Sequence, residues 1–225
     1  MADVMKAPYG AVAKEAFDYV KKNMLIGARN RILDQPDIFG HPFMNMGVRI
    51  ACVGVMRKEA DKVLVPMQEA ILADWKKRMG EKYGWLVENK SVHARPEIVD
   101  FEFAAMKMDT YGKTVDIHAG YAIAFGCGNC MEQSALTFQY LRDRGVRPLD
   151  WIAQEKIFTV PGLGTDVGDH AFVIIGRDRK ADVGDVSKWN AEVVWCDPYE
   201  NEMGGLDEIR ERFKGKMLSL MHRLD

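Results

Sequence analysis

Cys130, His170 and Asp197 are the residues of this chain best suited to covalent chemistry. A thiol becomes a strong nucleophile when a nearby base takes its proton and a helix N-terminus stabilises the thiolate. The base in turn needs an acceptor that holds its tautomer and supports its positive form. The three residues lie in GCGNCMEQSALTFQYLRDRG, GDHAFVIIG and VVWCDPY. In order, they read as a cysteine opening a helix, a histidine opening a strand and an aspartate closing one. That set points to a cysteine nucleophile acting on amides or esters.

The elements that must position them can be read locally. From Met131 to Arg144 there is no Gly or Pro, and Met131, Ala135, Phe138 and Leu141 recur on one helical face. Asn129 and Glu132 have capping-box spacing, and Gly145 is a plausible stop. Cys130 is then the first helical residue, beside the positive end of the helix dipole. His170–Ile175 and Glu192–Asp197 are short apolar runs, the second stopped by Pro198. An antiparallel pairing of His170 with Asp197 also matches Phe172 with Trp195 and Ile174 with Val193. That register places His170, Asp197 and large apolar residues on one face, against which the Cys130 helix is expected to pack.

These residues resemble the transglutaminase-like branch of the papain-like cysteine enzymes. The resemblance rests on Gly128-Asn129-Cys130 with Ala135, then His170-Ala171-Phe172, then Asp197-Pro198, and covers about residues 120–200. It implies Cys130 as nucleophile, His170 as general base and acid, and Asp197 as the orienting residue. It also implies a catalytic helix packed on a small antiparallel sheet. Activities found in the family are proteolysis, amide cleavage, glutamine deamidation and protein cross-linking, including in bacterial effectors. The chain departs from the family in carrying Phe172 where Trp is frequent, and in its long polar stretch from Arg177 to Asn190. No acidic cluster of calcium-loop type stands out, which argues against a calcium-dependent cross-linker.

Composition sets the frame. The chain has 225 residues, 48% of them hydrophobic, enough for a real core. A formal charge of −2 implies no strong phosphate-binding field, so no nucleic-acid partner is expected. Four cysteines are few for a disulfide scaffold of this size, which favours a reducing compartment. No secretory signal and no run of about 18 apolar residues is present. The expectation is therefore a protein not bound to membrane, cytoplasmic or exported by a route without a signal peptide. A protein or peptide substrate is expected and no cofactor; oligomeric state is open.

Along the chain, residues 8–30 read as a helix with Val12, Ala16, Tyr19, Val20 and Met24 inward. Residues 44–60 read as a second, with Val48, Cys52 and Val55 inward, and a further helical stretch ends near Gly80 or Gly84. Glu88 to Arg95 reads as a connector, and Ile98 to Met108 is ambiguous between helix and strand. Leu149 to Val160 reads as strand, Pro161 to Gly168 as a loop beside the substrate, and 206–221 as a closing helix. The class is α+β, with a helical region over 1–90, suited to substrate recognition, and a catalytic core over 91–225, read either as two regions or as one continuous domain.

Other readings compete. The chain could be a non-enzymatic helical interaction module. It could be a structural zinc protein using Cys127, Cys130, His170 and Cys196, although a second CxxC and a His pair at metal spacing are absent. Cys127 reads as a packing residue rather than the redox partner of Cys130. His118 is the competing base with a suggestive setting, while His41, His93 and His222 read as solvated. A second oxyanion donor is not evident; Gln133 and His118 are the weak candidates.

Overall fold

The computed structural model describes residues 8–28, 42–88, 96–160 and 164–225. Helices α1 (Gly10–Asn23), α2 (Pro42–Glu88), α3 (Pro96–Phe125) and α4 (Cys130–Asp143) come first. Strands β1 (Leu149–Val160), β2 (Gly164–Ile175), β3 (Val194–Asp197) and β4 (Glu202–Gly204) follow, then α5 (Leu206–Phe213) and β5 (Met217–Leu224). The strands form one antiparallel sheet in the order β4-β3-β2-β1-β5. The class is α+β.

Each face of the sheet buries its own cluster. On one side, Ala135, Phe138 and Leu141 of α4 and Ala13 and Ala16 of α1 pack on Leu149, Trp151, Ala171, Val173, Ile175 and Cys196. On the other, Ile209 and Phe213 of α5 cover Ile152, Phe172, Ile174 and Trp195. Trp151 anchors the α4 face, whereas Phe172, Trp195 and Phe213 pack together at α5.

The expected β2–β3 register is corrected by two residues: Ile174 lies opposite Trp195, and Val173 opposite Cys196. A two-residue slip preserves side-chain parity, so His170 and Asp197 keep one face. The packing of α4 is also corrected. Its apolar face lies on the Ala171–Val173–Ile175 side, not on the His170 side. Cys130 therefore meets His170 from the very start of α4 rather than through the helix's buried stripe.

Further expectations change. The second and third helical stretches are one helix, α2, which runs through Pro66 and past Gly80 and Gly84. Its inward residues include Arg49, Val53, Met56 and Ala60, while Val55 is exposed. The ambiguous stretch near 98–108 belongs to α3. Residues 206–221 are not one helix: Gly215, at φ +68°, ends it, and Met217–Leu224 pairs with the free edge of β1. The loop expected before His170 is mostly strand, since Val160 pairs with Gly164 and the ladder continues to Leu149–Ile175. Pro161–Leu163 and the connector at 89–95 lie outside the described residues, as do His41 and His93. His222 is in β5, stacked near Phe138 at 5.5 Å, rather than in a solvated terminus.

Candidate active site

The nucleophile's position is built from the loop Gly126–Asn129. Gly126 has φ +64°, and a Cβ at Gly128 would fall 2.6 Å from the Glu132 Cβ, so both positions require glycine. Asn129 is extended and serves as N-cap, and the helix ladder begins with the Gln133 N–H donating to the Asn129 carbonyl at 3.0 Å. The Glu132 carboxylate accepts the Asn129 N–H at 2.8 Å, as its capping-box spacing predicts. Arg57 of α2 then grips both Glu132 oxygens, at 2.8 and 3.1 Å. Burial raises the Glu132 carboxyl's pKa, but Arg57 and the two backbone N–H groups outweigh it and hold the carboxyl below its ordinary value.

The base and its orienter lie across the sheet's edge. His170 is 4% exposed and Asp197 1%. His170 Nε2 lies 2.6 Å from Asp197 Oδ2, and Asp197 Oδ1 accepts the Glu200 N–H at 3.1 Å. The Cys130 thiol is hydrogen-bonded to the same imidazole. With Nε2 engaged by Asp197, Nδ1 is the nitrogen that faces sulfur. Burial disfavours the imidazolium, yet the hydrogen bonds and charges of Asp197 and Cys130 overcome it and raise His170 to about 9. The three residues singled out in sequence are thus brought together in the order sulfur, imidazole, carboxylate.

The other candidates go elsewhere. Cys127 is bonded to Cys52 of α2 in a disulfide, which corrects both its reading as a packing residue and the expectation of four reduced cysteines. Seventy-five residues separate the pair, so no short spacing announces it. Cys196 is buried on the opposite face, its sulfur 3.6 Å from the Ala13 carbonyl, and burial pushes its pKa far up. The proposed zinc set Cys127, Cys130, His170 and Cys196 therefore does not converge. Among the described residues no group of three or more His, Cys, Asp or Glu is placed to hold a metal ion. Gln133 donates its amide to the Gly128 carbonyl at 2.9 Å and so braces the nucleophile loop. His118, on α3, is packed edge-on near Trp151 and lowered by burial, with Glu132 and Arg57 as its charged neighbours. The Arg57–Glu132 brace was missed in sequence; the two lie 75 residues apart, and only the cap glutamate was visible.

No helix among the described residues is long and apolar enough to cross a membrane. Comparison with protein-family models, with curated proteins and with solved structures finds no match to this chain.

Proposed function

We propose that the chain is a cysteine-dependent enzyme performing acyl transfer or hydrolysis on protein or peptide amides, with a transglutaminase-like, papain-like core. The observation that carries this is the buried relay in which His170 takes Asp197 on one nitrogen and the Cys130 thiol on the other. In the reaction, the Cys130 proton resides on His170 and the thiolate adds to the substrate carbonyl, forming the S–C bond. The first-turn amide of Cys130 stabilises the developing oxyanion. Collapse breaks the C–N bond, and His170 delivers its proton to the leaving amine. Water or a second amine then cleaves the thioester and restores the thiol. A side-chain glutamine as substrate gives deamidation or cross-linking; a backbone amide gives proteolysis.

A macromolecular substrate is favoured by α2. It carries exposed Ile50, Val55, Val63, Val65 and Leu72, and with α3 it forms an apolar groove of about 240 Å³ between Val63 and Ile117, Tyr121 and Ala124. The test is iodoacetamide labelling mapped by cysteine across pH, in wild type and His170→Ala. Cys130 is expected to label rapidly already near pH 6 and slowly without His170. Labelling that rises only as for an ordinary thiol, about pH 8–9, and ignores His170 would falsify the reading. Cys130→Ala is expected to abolish turnover while leaving the fold intact.

A further inference from the structure

One polar side chain beside the site has no hydrogen-bond partner. Among the described residues, twelve polar or charged residues are buried: Arg49, Thr114, Asn129, Glu132, Gln133, Ser134, Thr137, Asp150, Gln154, His170, Arg177 and Asp197. Eleven have a hydrogen-bond or charge partner. Gln154, 5% exposed, has none among the described residues. Its carboxamide is not sealed from solvent, so its unpaired N–H groups are open to a ligand and invite a role.

Its position supplies one. Gln154 of β1 is the direct cross-strand partner of His170 on β2. Paired residues share a sheet face, with Cβ atoms about 4.5–5.5 Å apart. Because β2 lies between β3 and β1, His170 stands between Asp197 on one side and Gln154 on the other. Nε2 is taken by Asp197 of β3, so Gln154 flanks the imidazole from the other neighbouring strand. The unpaired amide and the Cys130 thiol are thus both neighbours of the one imidazole. Gln133, the other side-chain amide near the nucleophile, already donates to the Gly128 carbonyl.

We infer that Gln154 is a catalytic residue, the second oxyanion donor, which works with the first-turn amide of Cys130 to hold the tetrahedral intermediate. The inference rests on the proposed thiolate chemistry and deepens it. Its N–H groups meet no acceptor in the resting protein and acquire one when the carbonyl oxygen becomes O⁻. That is the differential interaction that accelerates a reaction rather than merely binding its substrate.

The test needs no natural substrate. p-Nitrophenyl acetate reacts through a tetrahedral oxyanion: the Cys130 S–C bond forms, the ester C–O bond breaks, p-nitrophenolate leaves, and water later releases acetate. Iodoacetamide reacts with the same sulfur by direct displacement of iodide and builds no oxyanion. In Gln154→Met, which keeps the length and loses the donors, Cys130-dependent p-nitrophenolate release is expected to fall about 10²-fold. Iodoacetamide alkylation of Cys130 is expected to stay within about twofold, which also shows that the variant is folded around its nucleophile. Equal loss in both reactions, or loss in neither, overturns the assignment. Wild-type protein that releases no more p-nitrophenolate than Cys130→Ala, and alkylates like a free thiol, refutes the enzymatic reading itself and the assignment with it.

Discussion

His170 is held between two opposing effects, and their balance fixes what the residue does. Burial alone would make it a neutral imidazole at physiological pH; Asp197 at 2.6 Å and Cys130 instead raise it to about 9. The resting imidazole is then protonated at neutral pH, with a proton on the group that must deliver one to the leaving amine. A folded pKa raised above the ordinary 6.5 means that the charged ring contributes stability fully present below about pH 6.5. That contribution, about 3 kcal/mol, is lost as pH rises through about 9. Because Asp197 is the larger of the two raising influences, Asp197→Asn is expected to lower the His170 midpoint clearly below its wild-type value. Titration of the His170 ring proton by NMR measures both forms. A wild-type midpoint near 6.5, or one that Asp197→Asn leaves in place, contradicts the relay. Asp197→Asn should also slow amide turnover by about 10² or more, through the wrong tautomer, while protein stability near neutral pH falls only by the lost charge pair.

Elements were legible where their signals are local. The start of α4 could be read because Gly126, Gly128, Asn129 and Glu132 act within one turn of Cys130, and β1 because Leu149–Val160 is a continuous strand-forming run bounded by Pro148 and Pro161. Errors came where tertiary pairing decides. Phe213, Met217 and Leu220 fit a helical period, yet residues after Gly215 take the strand that the open edge of β1 offers. The β2–β3 register is a matter of tertiary packing that no local signal carries: Ile174, not Phe172, lies opposite Trp195, while Phe172 stacks on Phe213. Least visible was the tie between α2 and the nucleophile loop. The Cys52–Cys127 disulfide, the cluster of Val53, Met56 and Cys127, and the Arg57–Glu132 pair all join α2 to residues 127–132. A bridge closing a loop of this length restricts the unfolded chain by about 4 kcal/mol. Cys52→Ala, or reduction of the wild type, is accordingly expected to lower unfolding stability in urea by about that much. It should also speed hydrogen exchange at the first-turn amides of α4. An unchanged urea midpoint would show that the bridge does not constrain the chain.

At the scale of the whole molecule, two structures hold the sheet in a state that keeps the relay aligned, and they differ in kind. One is apolar: α1 and α4 on one face, α5 on the other, so that β2 and β3 are clamped from both sides. The other is ionic and lies at the end of the sheet remote from the hairpin tip. Asp150 of β1 is 1% exposed and accepts from Arg177 Nε at 2.6 Å and from Arg223 Nη1 at 2.9 and 3.1 Å. Arg223 also donates to the Arg177 carbonyl at 3.1 Å, so one carboxylate joins β1, the segment just after β2, and β5. Burial pushes the Asp150 carboxyl above its ordinary value, and Arg177 and Arg223 oppose that shift. Taking the charge away leaves buried Arg177 without its carboxylate, while Arg223 keeps Asp225. Asp150→Asn is therefore expected to destabilise the protein by about 3–5 kcal/mol, far more than a surface pair would. Because β1 carries Gln154 opposite His170, loosening its register at Leu149–Ile152 should reach the site as well. Urea unfolding gives the first quantity, and the ratio of p-nitrophenyl acetate to iodoacetamide reactivity at Cys130 gives the second. A destabilised Asp150→Asn that keeps the wild-type ratio would show that the hairpin holds its own register. A reduced ratio would mean that the ionic cluster at the far end fixes where the oxyanion donor stands.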